Sequence, residues 1–202
     1  MWLKSCSGLG SLRSKKAACG RARRPRKVSN GGKGDNPGGV TAFFGASDGG
    51  TARAITNGNG RFDISGLTTA GMEIGSIEGS GNYFLGSKTL SAGGNNLSTT
   101  VSGVITDLNA NGISLGGSLT KVGTGTLTLT GTNTYSGGTN INGGVLAVAG
   151  DADLGNGPLS FNGGRLEALA VGFGIVSSKA ITLNAGEGTF LADKGTTSFL
   201  DG

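Results

Sequence analysis

The side chains best suited to chemistry are carboxylates, because the chain contains no histidine. Asp151 and Asp153 lie close together after an apolar run at Val145–Val148, and Glu167 and Glu187 each follow a recurrent asparagine-glycine segment. Carboxylate oxygens bind Ca²⁺, and a carboxylate pair is the minimum for glycoside hydrolysis. The alternative, which we favour, is that these acids are solvated turn residues. We therefore predict no catalytic, cofactor-binding or metal-binding residue and no enzyme activity.

Three short motifs imitate known functional sites, and each lacks a required part. Residues 45–49 have the Gly-x-Ser-x-Gly pattern of a hydrolase nucleophile, which needs a histidine base. In residues 81–89, Ser87 separates the glycine from the lysine that a phosphate-binding loop joins directly. Residues 31–35 resemble the start of a calcium-binding nonapeptide, but the aspartate comes one position early. We interpret all three as chance matches.

Charge divides the chain into two regions. Residues 1–38 have a net charge of +9 and contain both cysteines, Cys6 and Cys19, whereas residues 39–202 have a net charge of −4. High charge with low hydrophobicity opposes folding, so we predict that residues 1–38 are a disordered or non-native leader. The alternative is that the basic run at residues 21–27 is a nucleic-acid patch. We predict no specific nucleic-acid partner for the chain.

The body alternates short apolar runs with turns. Gly, Thr, Ser and Asn make up 99 of the 202 residues, which favours corners and outward strand positions over helices. In Thr126–Leu129, leucine and threonine alternate with the two-residue period of a half-buried strand. The other predicted strands are residues 61–64, 83–85, 101–105, 145–148, 159–161 and 180–183.

An internal repeat indicates how the strands are arranged. The segment Asn142-Gly143-Gly144-Val145-Leu146 recurs at 162–166, Leu127 precedes Leu146 at nearly the same spacing, and Phe190 follows Leu166 at a slightly larger one. A period near 20 predicts a solenoid of about eight stacked coils, each burying its apolar face against its neighbours. An antiparallel sandwich or barrel, whose strands also recur every 8–12 residues, is the alternative.

Two further features of this region admit more than one interpretation. Tyr135 could stack on a sugar, although we favour packing at a corner. The threonines at every second position from Thr126 to Thr134 resemble an ice-binding array, but only one strand carries them. We therefore interpret them as ordinary outward-facing strand residues.

Residues 121–146, KVGTGTLTLTGTNTYSGGTNINGGVL, resemble the passenger-associated repeat of bacterial autotransporters. That pattern has a G-x-G-T-L-x-L strand, a G-x-N-x-Y-x-G-G-T corner, then a strand and G-x-L. The structural positions that match it are Gly123, Gly125, Thr126, Leu127, Leu129, Gly131, Asn133, Tyr135, Gly137, Gly138, Thr139, Gly144 and Leu146. The similarity to passenger sequences extends over roughly residues 55–202 and does not include the leader.

The resemblance implies an all-β fold, a partial right-handed parallel β-helix, exported through the outer membrane to the surface of a Gram-negative bacterium. Its implied role is structural, in secretion and cell-surface adhesion. The implied partners are the outer-membrane translocation machinery, a carboxy-terminal barrel and a host or neighbouring-cell surface, without a cofactor or membrane-spanning segment. The alternative is a β-helix polysaccharide lyase or hydrolase. Because we recognise neither a signal peptide nor the barrel, we expect the chain to be a fragment of a longer gene.

Overall fold

The computed structural model describes residues 27–30, 38–108, 111–169, 176–192 and 199–200, and in these ranges the chain is built from short β-strands and one 3₁₀-helix, Asp151–Leu154. The strands are β1 (Lys27–Asn30), β2 (Val40–Gly45), β3 (Arg53–Thr56), β4 (Arg61–Leu67), β5 (Gly71–Ile74), β6 (Ser76–Glu78), β7 (Asn82–Phe84), β8 (Thr89–Ala92), β9 (Thr99–Val101), β10 (Ile105–Thr106), β11 (Ser118–Lys121), β12 (Thr126–Leu129), β13 (Thr139–Ile141), β14 (Val145–Val148), β15 (Leu159–Phe161), β16 (Arg165–Ala168), β17 (Val176–Ser177), β18 (Ile181–Leu183), β19 (Thr189–Ala192) and β20 (Phe199–Leu200).

The strands stack on three faces of a solenoid with about seven turns. Face A contains β1-β3-β6 and β9-β12-β14-β16-β19, which a parallel bridge between Gly79 and Val101 connects. Face B contains β2-β4-β7-β10, and face C contains β5-β8-β11-β13-β15-β18; β17 pairs with β20. All pairs between these strands are parallel, so the predicted parallel β-helix is confirmed and the antiparallel alternative is wrong.

The register of face A follows the repeat seen in the sequence. Leu127 lies beside Leu146, Leu146 beside Leu166, and Leu166 beside Phe190. The coils are less uniform than the repeat predicts, because Leu127 pairs on its other side with Thr99, which is much farther away along the chain than Leu146 is. The longer coils reduce the predicted eight turns to about seven.

One continuous apolar core runs along the inside of the solenoid. In β12, Leu127 and Leu129 are buried and contribute to this core, while the alternating threonines face outward. Aromatic rings stack from coil to coil at one end, where the centroid of Phe62 lies 5.4 Å from that of Phe43 and 5.6 Å from that of Tyr83. Each coil thus completes its core only against its neighbours.

Most of the predicted strands are present, and one is wrong. Residues 101–105 form the end of β9, a corner and the start of β10 instead of one strand. The corner is explained by Gly103, because a Cβ atom at this position would lie 1.8 Å from the carbonyl oxygen of Gly81 in the preceding coil. Backbones approach this closely only where a side chain is missing.

The structure describes only part of the predicted leader. Lys27–Asn30 forms β1, which pairs in parallel with β3 on face A. Cys6, Cys19 and the motif at residues 31–35 lie outside the described residues, as does most of the basic run at 21–27. Within the described ranges, no helix has the length and apolar character needed to cross a membrane.

Candidate functional site

The motif at residues 121–146 forms one complete coil of the solenoid. It leaves face C at the end of β11, crosses face A as β12, returns to face C as β13 and enters β14. Between β12 and β13 the chain follows face B, since the N–H of Thr134 donates to the carbonyl of Ile105 at 3.0 Å. The candidate site is therefore a coil whose side chains contact the coils before and after it.

Asn133 connects three successive coils from within the core. It is 2% exposed, and its Oδ1 accepts a hydrogen bond from the backbone N–H of Ile105 at 2.8 Å. Its Nδ2 donates to the carbonyl of Asp153 in the following coil. A buried amide must have partners for both ends, and here those partners are backbone groups of the two adjacent coils.

Tyr135 and Thr139 form a second buried chain of hydrogen bonds. The Tyr135 hydroxyl lies 2.6 Å from Oγ1 of Thr139, which donates to the carbonyl of Leu154 at 2.9 Å. Neither residue is exposed, and burial raises the pKa of Tyr135 above its ordinary value. A ring enclosed in this way cannot stack on a sugar, so that alternative is wrong.

The glycines of the motif occupy corners where successive coils almost touch. Gly123 has a φ of +71°, and a Cβ atom there would lie 2.1 Å from the carbonyl oxygen of Gly93. A Cβ atom on Gly131 would lie 2.2 Å from the carbonyl oxygen of Gly103. Close backbone contacts of the same kind, between 2.2 and 2.8 Å, are found at Gly125, Gly137, Gly138 and Gly144.

The threonine-rich strand does not belong to a larger threonine array. Thr126 and Thr128 face outward from β12, but their neighbours in β14 are Val145 and Ala147. The next strand places Arg165 and Glu167 in the same columns. Because an ice-binding surface needs the same side chains on coil after coil, that alternative is wrong for face A.

Lys121 is a buried residue to which the sequence reasoning assigned no role. It is 1% exposed, and its Nζ donates to the carbonyls of Val122 at 2.7 Å and of Gly123 and Gly143 at 3.3 Å. Burial lowers its pKa to about 8. Strand alternation was the available signal, since Lys121 shares the inward face of β11 with Leu119.

Asp107 anchors the long coil that runs from Thr99 to Leu127. Its Oδ2 accepts hydrogen bonds from the hydroxyls of Ser114 and Ser136 at 2.8 and 2.7 Å, and from the backbone N–H groups of Gly116, Gly117 and Ser136. Burial raises the pKa of this carboxyl, but the hydrogen bonds outweigh burial and the pKa lies below its ordinary value. No pattern in the sequence singles out this aspartate.

The four carboxylates singled out in the sequence have different surroundings. Asp151 forms an ion pair with Lys179 at 2.9 Å, and Glu167 one with Arg165 at 3.0 Å. Asp153 is 7% exposed, so it is not the solvated corner residue we expected. Its Oδ2 accepts hydrogen bonds from the backbone N–H groups at 149 and 150, and burial raises its pKa.

The remaining candidate residues do not come together into a reactive or binding site in the described part of the chain. Glu187 lies in an exposed turn between β18 and β19. Ser47, in the hydrolase-like motif, bonds to the carbonyl of Phe44, and the lysine of the phosphate-loop-like motif lies in a turn before β8. In the described ranges, no three His, Cys, Asp or Glu side chains form a group that could hold a metal ion.

Comparisons with known proteins agree with the location of the motif coil. Residues 119–148 match the family described as passenger-associated-transport-repeat. The adhesin BmaC autotransporter of Brucella suis biovar 1 (strain 1330) is 42% identical over 86 residues, which is 42% of this chain and 2% of that protein. No solved structure matches the chain. The resemblance is thereby confirmed, and the chain carries an autotransporter passenger repeat.

Proposed function

We propose that this chain is a structural segment of an autotransporter passenger, displayed on the surface of a Gram-negative bacterium, and that it contributes to secretion and adhesion without catalysis. The observation that carries the proposal is the repeat at 119–148, which forms one coil of a continuous parallel solenoid. The name of the Brucella relative, an adhesin, supports the adhesive role. The proposed segment is residues 39–202, preceded by residues 1–38 as a leader of which Lys27–Asn30 pairs with β3.

A solenoid is well suited to secretion as an extended chain. Each coil contacts only its neighbours, so a newly exported coil can add to an existing edge without waiting for distant residues. Asn133 illustrates this, since its two backbone partners lie in the coils directly before and after it. The proposed partners are the outer-membrane translocation machinery with its barrel, and a host or neighbouring-cell surface.

The arrangement of the carboxylates supports a non-enzymatic role. Among the described residues, Asp151 and Glu167 are paired with basic side chains, and Asp153 accepts hydrogen bonds from its own turn. Glycoside hydrolysis needs two carboxyl groups that face one bond with room for the sugar between them. Nothing observed in the described residues favours the polysaccharide-degrading alternative.

The test is surface display of the whole chain between an export signal and a translocating barrel. We expect the chain to become accessible to added protease on intact cells and to increase their attachment to host cells. Gly131→Val, which inserts a side chain between two coils, should reduce display, whereas Gly94→Ala should not, because nothing lies within 4 Å of a Cβ atom there. Equal display of both variants would contradict a role for the solenoid in secretion. Polysaccharide cleavage that Asp151→Ala abolishes would contradict a non-enzymatic role.

A further inference from the structure

An exposed corner between β13 and β14 carries an asparagine followed by a glycine, Asn142-Gly143. This dipeptide is prone to succinimide formation, in which the glycine nitrogen attacks the asparagine side chain, because glycine has no side chain to obstruct the attack. The chain contains seven Asn-Gly pairs. The surroundings of each pair in the folded chain determine which of them can react.

At Asn142-Gly143 both reacting groups are free. The Asn142 side chain is exposed and forms no hydrogen bond to the described residues. Only the backbone N–H of Asn142 is held there, by the carbonyl of Lys121 at 2.9 Å. Gly143 accepts a hydrogen bond from the Lys121 Nζ at its carbonyl, at 3.3 Å, but its N–H donates to no described residue.

The same three residues, Asn-Gly-Gly, recur one coil later at 162–164, in the corner between β15 and β16. There both groups are engaged. The Asn162 Oδ1 accepts a hydrogen bond from the N–H of Gly186 at 3.1 Å, and the N–H of Gly163 donates to the carbonyl of Glu187 at 2.7 Å. Both hydrogen bonds must break before this second pair can react.

The other Asn-Gly pairs within the described ranges are restrained as well. The N–H groups of Gly58 and Gly60 both donate hydrogen bonds, at 3.0 and 2.9 Å. Gly157 is buried, and Asn111 has an interaction partner. The pair that begins at Asn30 extends beyond the described residues. Among the described pairs, the corner between β13 and β14 is therefore the one at which neither group is engaged.

We propose that Asn142 is a site of spontaneous deamidation in the folded chain. The backbone nitrogen of Gly143 gives up its proton and attacks Cγ of Asn142, the bond from Cγ to Nδ2 breaks, and ammonia leaves. Water then opens either carbonyl of the succinimide ring and leaves aspartate or isoaspartate, without oxidation or reduction. This inference does not depend on the proposed function.

The modification changes the motif coil in two ways. It adds a negative charge at an exposed corner. Isoaspartate also inserts a former side-chain carbon into the main chain between β13 and β14, two strands that pair in register with the coils on either side. Because a longer main chain at this corner disturbs that register, we expect the isoaspartate form to melt at a lower temperature.

Peptide mapping of the full chain by mass spectrometry, after incubation at mildly alkaline pH, tests this inference. In the folded chain we expect Asn142 to lose its amide about tenfold faster than Asn162, because two hydrogen bonds protect the latter. In guanidinium chloride the two rates should be similar, since both asparagines precede Gly-Gly. An isoaspartyl methyltransferase should label the product at position 142.

Two variants identify the reacting residue. Asn142→Gln should lack the early acidic species, whereas Asn140→Ala, which removes an asparagine that no glycine follows, should form it like the wild type. Equal rates at Asn142 and Asn162 in the folded chain would overturn the inference, as would an early acidic species that persists in Asn142→Gln. A rate difference that persists in guanidinium chloride would also overturn it, because the fold would then not be its cause.

Discussion

The side-chain oxygen of Asn133 accepts a hydrogen bond from the backbone N–H of Ile105 at 2.8 Å, across 28 residues of sequence. The other end of the same amide donates to the carbonyl of Asp153, 20 residues ahead. One side chain thus joins three coils whose separations in sequence differ. This bridging explains why the repeat has an asparagine at this position.

Replacing Asn133 should destabilise the solenoid strongly. In Asn133→Ala the N–H of Ile105 and the carbonyl of Asp153 lose their buried partner, and each unsatisfied group costs about 1–3 kcal/mol. We expect the free energy of unfolding in urea to fall by about 2–4 kcal/mol. Asn140→Ala is the control, since it removes a longer contact on a partly exposed surface and should cost under about 0.5 kcal/mol. Equal losses for the two variants would refute the bridging role.

A methyl group at Gly103 should be tolerated poorly. Gly103→Ala would place its Cβ 1.8 Å from the carbonyl oxygen of Gly81, so two coils must separate. We expect a loss of about 3 kcal/mol or more in thermal or urea unfolding, or failure to recover soluble protein. Gly94→Ala adds the same methyl group where no atom lies within 4 Å, and it should leave stability nearly unchanged. A stable Gly103→Ala variant would mean that the two coils do not approach as closely as described.

The buried ammonium of Lys121 should make stability increase with pH. Its pKa in the folded chain is lowered to about 8 from an ordinary value of 10.5, so folding favours the neutral form. The free energy of unfolding should therefore rise as the pH increases from about 8 to 10.5, by roughly 1.4 kcal/mol per pH unit at most. Urea unfolding from pH 7 to pH 10 measures this change. Lys121→Met should lack the rise, and a parallel pH dependence in both proteins would contradict the assignment.

Asp107 should also make stability increase with pH, but in the acid range. Its pKa is lowered in the folded chain, so its stabilising contribution is present above its unfolded pKa of about 3.9 and is lost as the pH falls through the folded value. At pH 7 we expect Asp107→Asn to cost about 1.5–3 kcal/mol, the usual range for hydrogen bonds to a charged group. The difference between this variant and the wild type should shrink below pH 4. Glu187→Gln, at an exposed turn, should show neither effect.

Repeat spacing predicted a solenoid and much of its register, and the resemblance of residues 121–146 implied the parallel β-helix. The regular recurrence of leucine and phenylalanine predicts that Leu127, Leu146, Leu166 and Phe190 stack, and these residues do pair in turn on face A. The prediction succeeds because a solenoid converts sequence separation directly into spatial adjacency. The spacing of glycine and asparagine predicts the corners for the same reason.

The irregular coil and the partners of the polar side chains became known only from the folded chain. The long step from Thr99 to Leu127 interrupts the period, and this step brings Asn133 to Ile105 and Ser136 to Asp107. Composition likewise could not show that Lys121 lies inside the core or that Asp151 pairs with Lys179. The partner of a polar side chain depends on how many residues the intervening coil contains. That number is fixed only when the coils stack on one another.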